Sequence, residues 1–75
     1  MNTYDQAILL IRKGRLNEAL SALNTFVHVN DDSDDTPLAY FWMGEINLTN
    51  GNLAVATQNY NTLVGLYPTH WKVPL

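Results

Sequence analysis

The side chains that could do chemistry are few. Four aspartates lie within five positions, Asp31, Asp32, Asp34 and Asp35. Clustered carboxylates supply oxygen ligands for calcium. The spacing is wrong for a calcium loop of the EF-hand type, which needs ligands at alternate positions, a glycine at the sixth and a glutamate at the twelfth. The run reads instead as a solvated loop in which Asp34, Asp35 or Thr36 caps the next helix and Pro37 sits in its first turn. His28 falls near the end of a helix, and His70 lies in a loop beside Trp71. No two histidines stand four apart, no Ser/His/Asp set is suggested, and cysteine is absent, so neither a metal centre, nor a thiolate site, nor a hydrolase is indicated. The reading is of a protein that is not an enzyme, with no catalytic residue, metal or cofactor. Tyr40 and Trp42 read as packing residues rather than a sugar platform.

The elements that must position these residues are helical. The chain has 75 residues, 47% hydrophobic and 15% charged, which suits one small domain. Tyr4, Ala7, Ile8, Leu10 and Ile11 form one stripe and predict a helix over 3–13, ended by Lys13-Gly14. Leu16, Ala19, Leu20, Leu23, Phe26 and Val27 predict a second over 16–29. A third is expected over 37–49 and a fourth over 53–66, with Asn50-Gly51-Asn52 as the turn between them and Pro68 as the stop. Gly44 should allow close approach, answered by Ala56 on the facing helix. The net charge of −3 argues against nucleic acid as a partner, which would need a basic patch. The basic cluster Arg12, Lys13 and Arg15 flanks a glycine turn and reads as solvated. No apolar run approaches the ~20 residues of a membrane span, and no signal peptide is visible.

The halves of the chain repeat. Gly14 matches Gly51, Leu16 matches Leu53, Ala19 matches Ala56, Leu23 matches Tyr60 and Phe26 matches Leu63, each at an offset of 37. Two helices per unit at a fixed offset mark an all-α solenoid of helical hairpins. The boundaries follow: one domain over 1–75, with a first repeat over about 3–30, an acidic loop over 31–36, a second repeat over 37–68 and the start of a third over 69–75.

The second unit resembles the tetratricopeptide repeat, whose pattern of about 34 residues is met by Tyr40, Met43-Gly44, Ala56, Tyr60 and Pro68, with Asn47 where an aromatic is usual and Leu63 where a small residue is usual. The first unit keeps Gly14, Ala19 and Leu23 but has Gln6-Ala7 for the Leu-Gly pair and Asp31 for the proline. Over nearly the whole chain, Tyr4-Asp5-Gln6-Ala7, Lys13 through Ala19, Tyr40 through Glu45, Tyr67-Pro68 and Lys72-Val73-Pro74 are similar to the C-terminal repeat domain of the YbgF/CpoB family of Tol-Pal-associated proteins. That resemblance implies a periplasmic adaptor that binds TolA and helps coordinate envelope constriction with septal peptidoglycan synthesis during division. It also implies an N-terminal coiled coil and a full third repeat, neither seen here, so the chain reads as a fragment.

In repeats of this kind the first helix of each hairpin lines a concave groove. Here that face is expected to be Tyr4, Ile8, Ile11, Arg12, Leu38, Phe41, Glu45 and Leu48, apolar with Arg12 and Glu45 as polar anchors. Such a groove suits an amphipathic helix or an extended protein segment, and Phe41→Ala is expected to weaken partner binding more than folding. The eukaryote-like clamp for acidic tails needs several groove cations and finds only Arg12. The alternative is a self-association module. A fourth helix without a third repeat to cover it would leave Tyr60, Val64 and Trp71 without neighbours, which predicts a homodimer or a swapped tail over that face.

Overall fold

The computed structural model describes residues 3–29 and 35–66. Helix α1 spans Thr3–Arg12, α2 Leu16–Val29, α3 Thr36–Thr49 and α4 Leu53–Leu66. They account for 88% of the described residues, without a strand among them. The protein is all-α, built as two helical hairpins. Each helix packs on the next in the chain, so the first hairpin is α1 with α2, the second is α3 with α4, and α2 meets α3 between them. The acidic loop's residues 31–34, the expected third repeat over 69–75, Pro68, His70 and Trp71 lie outside the described residues.

The two hairpin turns are built alike, bond for bond. The Arg15 amide donates to the Leu10 carbonyl at 2.9 Å and the Gly14 amide to Ile11 at 3.0 Å; at an offset of 37, the Asn52 amide donates to Asn47 at 2.8 Å and the Gly51 amide to Leu48 at 3.1 Å. This paired pattern closes a helix with a residue in the left-handed conformation. Gly14 and Gly51 supply it, at φ 78° and 81°, where a side chain would be strained. The next helix starts the same way twice, with Ala19 donating to the Arg15 carbonyl and Ala56 to that of Asn52.

Two helix starts and ends differ from expectation. The first helix stops at Arg12, because Lys13 already belongs to the turn. The third begins at Thr36 rather than Pro37. Asp35 holds the N-cap position with helical backbone angles, φ −83° and ψ −10°, and its side chain makes no capping hydrogen bond. A cap side chain reaches the N2 or N3 amide from an extended backbone, which Asp35 does not adopt. Pro37 does sit in the first turn and is fully buried.

The core joins α1, α2 and α3 through Ala7, Ala19, Leu23, Phe26, Val27, Ala39, Met43 and Ile46. Tyr4 lays its ring against Phe26, with centroids 5.7 Å apart. Ala56 and Leu63 bury the inner face of α4. Gly44 does allow a close approach, but it is the Tyr60 ring that it meets. A Cβ on Gly44 would stand 2.7 Å from Tyr60 Cε1. Tyr60 is thus spent on the α3–α4 contact and is not part of an open end. At the matching positions of the first hairpin stand Ala7 and Leu23, both fully buried.

A second substitution sits beside the first. Asn47 and Asn59 are buried between α3 and α4, and Asn47 Nδ2 donates to Asn59 Oδ1 at 2.8 Å. Their counterparts in the first hairpin are Leu10 and Ala22, which pack against the core. The same backbone therefore holds an apolar pair in one hairpin and a hydrogen-bonded amide pair in the other.

Candidate binding groove

Two shallow hollows lie side by side, separated by Trp42. The first, about 380 Å³, is lined by Tyr4, Asp5, Ile8, Leu9, Arg12 and Trp42. The second, about 180 Å³, is lined by Ile11, Leu16, Trp42, Glu45, Ile46 and Thr49. Both are cut by the repeat. Asp5, Ile8, Leu9 and Arg12 of α1 correspond at the offset of 37 to Trp42, Glu45, Ile46 and Thr49 of α3. Each set has the i, i+3, i+4, i+7 spacing of one helix face.

Of the residues expected to line a groove, Tyr4, Ile8 and Arg12 fall on the first hollow and Ile11 and Glu45 on the second. Leu38, Phe41 and Leu48 line neither. Leu38 and Phe41 are half-buried, and Leu48 is exposed. Trp42, which the sequence presents as a packing residue, is common to both hollows. Its indole N–H donates to the Tyr4 hydroxyl, and the Phe41 ring meets it edge-on with centroids 5.4 Å apart. Phe41 thus stands one residue removed, as a support for Trp42. The signal for Trp42 was present in the sequence: it stands three residues before Glu45 and seven before Thr49, the spacing that Asp5 makes with Ile8 and Arg12.

The polar groups divide their work. Glu45 accepts a hydrogen bond from the Tyr60 hydroxyl at 3.0 Å, so one carboxylate oxygen is turned toward α4. Arg12 and Asp5 put one charge of each sign on the first hollow. Arg15 is outside both hollows and pairs with Glu18 at 2.7 Å on the surface, a contact that stabilises little. His28 is exposed and its Nδ1–H donates to the Asn24 carbonyl at 2.7 Å within α2. Among the described residues no cluster of three or more His, Cys, Asp or Glu gathers around a point, and no helix is long and apolar enough to cross a membrane.

Two tyrosines of this region titrate late. Burial pushes the Tyr60 hydroxyl above the usual 10.0, helped by its hydrogen bond to Glu45 and the charge of that carboxylate. Burial likewise raises Tyr4; the Trp42 N–H works against this, and the charges of Asp35 and Asp5 add to it. Both hydroxyls keep their protons in the folded chain at a pH where the unfolded chain has lost them. Their contribution to stability is therefore full below pH 10.0 and is lost as pH rises through the folded values. Melting temperature should fall as pH rises above about 10, and Tyr60→Phe should flatten that fall in a calorimetric pH series.

No family model, curated protein or solved structure matches the chain.

Proposed function

We propose that this chain is a protein-interaction module whose groove, the two hollows flanking Trp42, receives a helical or extended segment of a partner. The observation that carries this reading is the recurrence of the hollow. The same four helix positions line it twice, so a segment lying across α1 and α3 meets two seats at corresponding positions with Trp42 between them. A pair of seats at repeated spacing fits a linear protein segment better than a compact small molecule.

The identity of the partner rests on the resemblance to the tetratricopeptide repeats of the YbgF/CpoB family. It makes the chain part of a periplasmic adaptor of the Tol-Pal system that binds TolA and helps coordinate envelope constriction with septal peptidoglycan synthesis. What supports the reading is a hairpin offset of 37 that recurs in the turns, the buried positions and the hollows. Two departures from the repeat pattern, Asn47 and Leu63, are both buried at the α3–α4 contact and leave the groove face untouched.

Titration calorimetry of TolA's periplasmic region against this chain tests the proposal. Trp42→Ala should weaken binding by about tenfold or more, as a central aromatic anchor does. Gln58→Ala, exposed on α4, should leave affinity unchanged. Heteronuclear NMR on the same mixture should move the amides of both hollows. Shifts confined to α4, or none at millimolar TolA, would refute the assignment.

A further inference from the structure

The outer face of α4 is uncharged and carries two exposed apolar side chains, with Thr57 between them. Leu53 and Val64 are 61% and 47% exposed. The repeat shows what such a face is for. Their counterparts on α2 are Leu16 and Val27. Leu16 lines a hollow with Trp42 and Ile46 of α3, and Val27 is buried in one cluster with Ala39, Met43 and Ile46. At these positions, then, a helix of this fold packs against a neighbour, and α4 has none among the described residues.

A second copy could arrive in two ways, and the ends of the stack choose between them. Stacking head to tail would bring the outer face of α1 onto α4, as α3 sits on α2. That face is more polar than the matching face of α3: exposed Asp5 and Gln6 stand at the positions of Trp42 and Met43, and only Leu9, at the position of Ile46, keeps the apolar character. Pairing α4 with α4 meets no such obstacle. It is the one helix of the four without Asp, Glu, Lys, Arg or His, so two copies of a chain of net charge −3 can join there without opposing like charges. The spacing is also self-complementary. Leu53 and Val64 are eleven residues apart, three turns, which places them about 20° apart on one face and roughly 16 Å apart along the axis. In an antiparallel pair about a twofold axis, Leu53 of one copy faces Val64 of the other.

We propose that this protein forms a homodimer through antiparallel packing of α4 on α4, with Leu53 seated against Val64 of the second copy. The interface is one helix wide, below the roughly 1,200 Å² of a standard interface, so the dimer is weak and concentration-dependent. Closed twofold symmetry limits it to two chains.

Sedimentation equilibrium of the 75-residue chain, from about 10 μM to about 1 mM, should show the mass rising from one chain to two. Val64→Lys should hold it at one chain throughout, and Leu53→Lys serves as the second variant if Val64→Lys loses its helical circular dichroism. Val55→Lys, exposed on the far side of α4, should leave the dimer intact. The chain has no cysteine, so register can be read by mixing equal amounts of Leu53→Cys and Val64→Cys chains: the mixed disulfide should exceed the two symmetric ones together, which is more than random pairing gives. A single-chain mass at every concentration overturns the proposal and places a following segment of the chain on this face. Dissociation by Val55→Lys, or a predominance of symmetric disulfides, overturns the pairing.

Discussion

Gly44→Ala should destabilise this protein by about 2 kcal/mol, in the range of core overpacking. In a domain of this size that lowers the melting temperature by roughly 8–16 °C. The added Cβ would stand 2.7 Å from one ring carbon of Tyr60 and 2.8 Å from another, so the ring must move. Moving it draws the hydroxyl away from Glu45, which it now meets at 3.0 Å. The first hairpin states the remedy. There an alanine, Ala7, stands where Gly44 stands, and a leucine, Leu23, where Tyr60 does; both are fully buried. Gly44→Ala combined with Tyr60→Leu should therefore recover more than half of the loss, although Tyr60→Leu alone leaves a void beside the glycine. Calorimetric melting of the four proteins of this cycle gives the coupling directly. Simple additivity of the two losses would show that Gly44 is not fitted to Tyr60.

Asn59→Ala should cost about 1–3 kcal/mol, because the Asn47 side-chain amide then loses its acceptor in a buried site. Asn47→Leu with Asn59→Ala should fall within about 1 kcal/mol of the parent, since removing both partners leaves nothing unpaired. The double variant installs in the second hairpin the residues that the first already uses, Leu10 and Ala22. Urea denaturation followed at 222 nm, on the order of a standard helical signal, separates the cases through the midpoint at constant slope. An unchanged midpoint for Asn59→Ala would mean that water replaces the lost acceptor at no cost.

The architecture was legible because its signals are periodic. Apolar stripes located four helices, and α2 and α4 run over the expected residues, Leu16–Val29 and Leu53–Leu66. Gly14 and Gly51 fixed the turns because a left-handed backbone leaves little choice of residue. What escaped was direction. Trp42 and Phe41 are neighbours in sequence and equally aromatic, yet only Trp42 lies between the hollows; a turn of about 100° per residue separates their faces. The repeat itself could have settled the point, because the four positions lining the first hollow map onto the four lining the second. Asn47 was visible as a departure from an aromatic position, but its meaning was not. Its partner Asn59 is twelve residues away on another helix, and no local pattern joins them.

The unlike fillings of two like hairpins bear on how the chain avoids folding wrongly. Repeats with the same backbone invite exchange of helices between units, a characteristic failure of repeat proteins. Here each helix carries a mark that only its own partner reads. If α1 paired with α4, Ala7 would press on Tyr60, where the native contact tolerates only glycine, and Leu10 would strand the Asn59 amide. If α3 took the place of α1 in the hairpin with α2, Gly44 would face Leu23 across a gap and Asn47 would meet Ala22 with nothing to bond. Both errors are penalised twice, once by shape and once by polarity. The buried amide pair and the glycine–tyrosine contact thus act as a lock between α3 and α4, chosen against the wrong hairpins as much as for the right one.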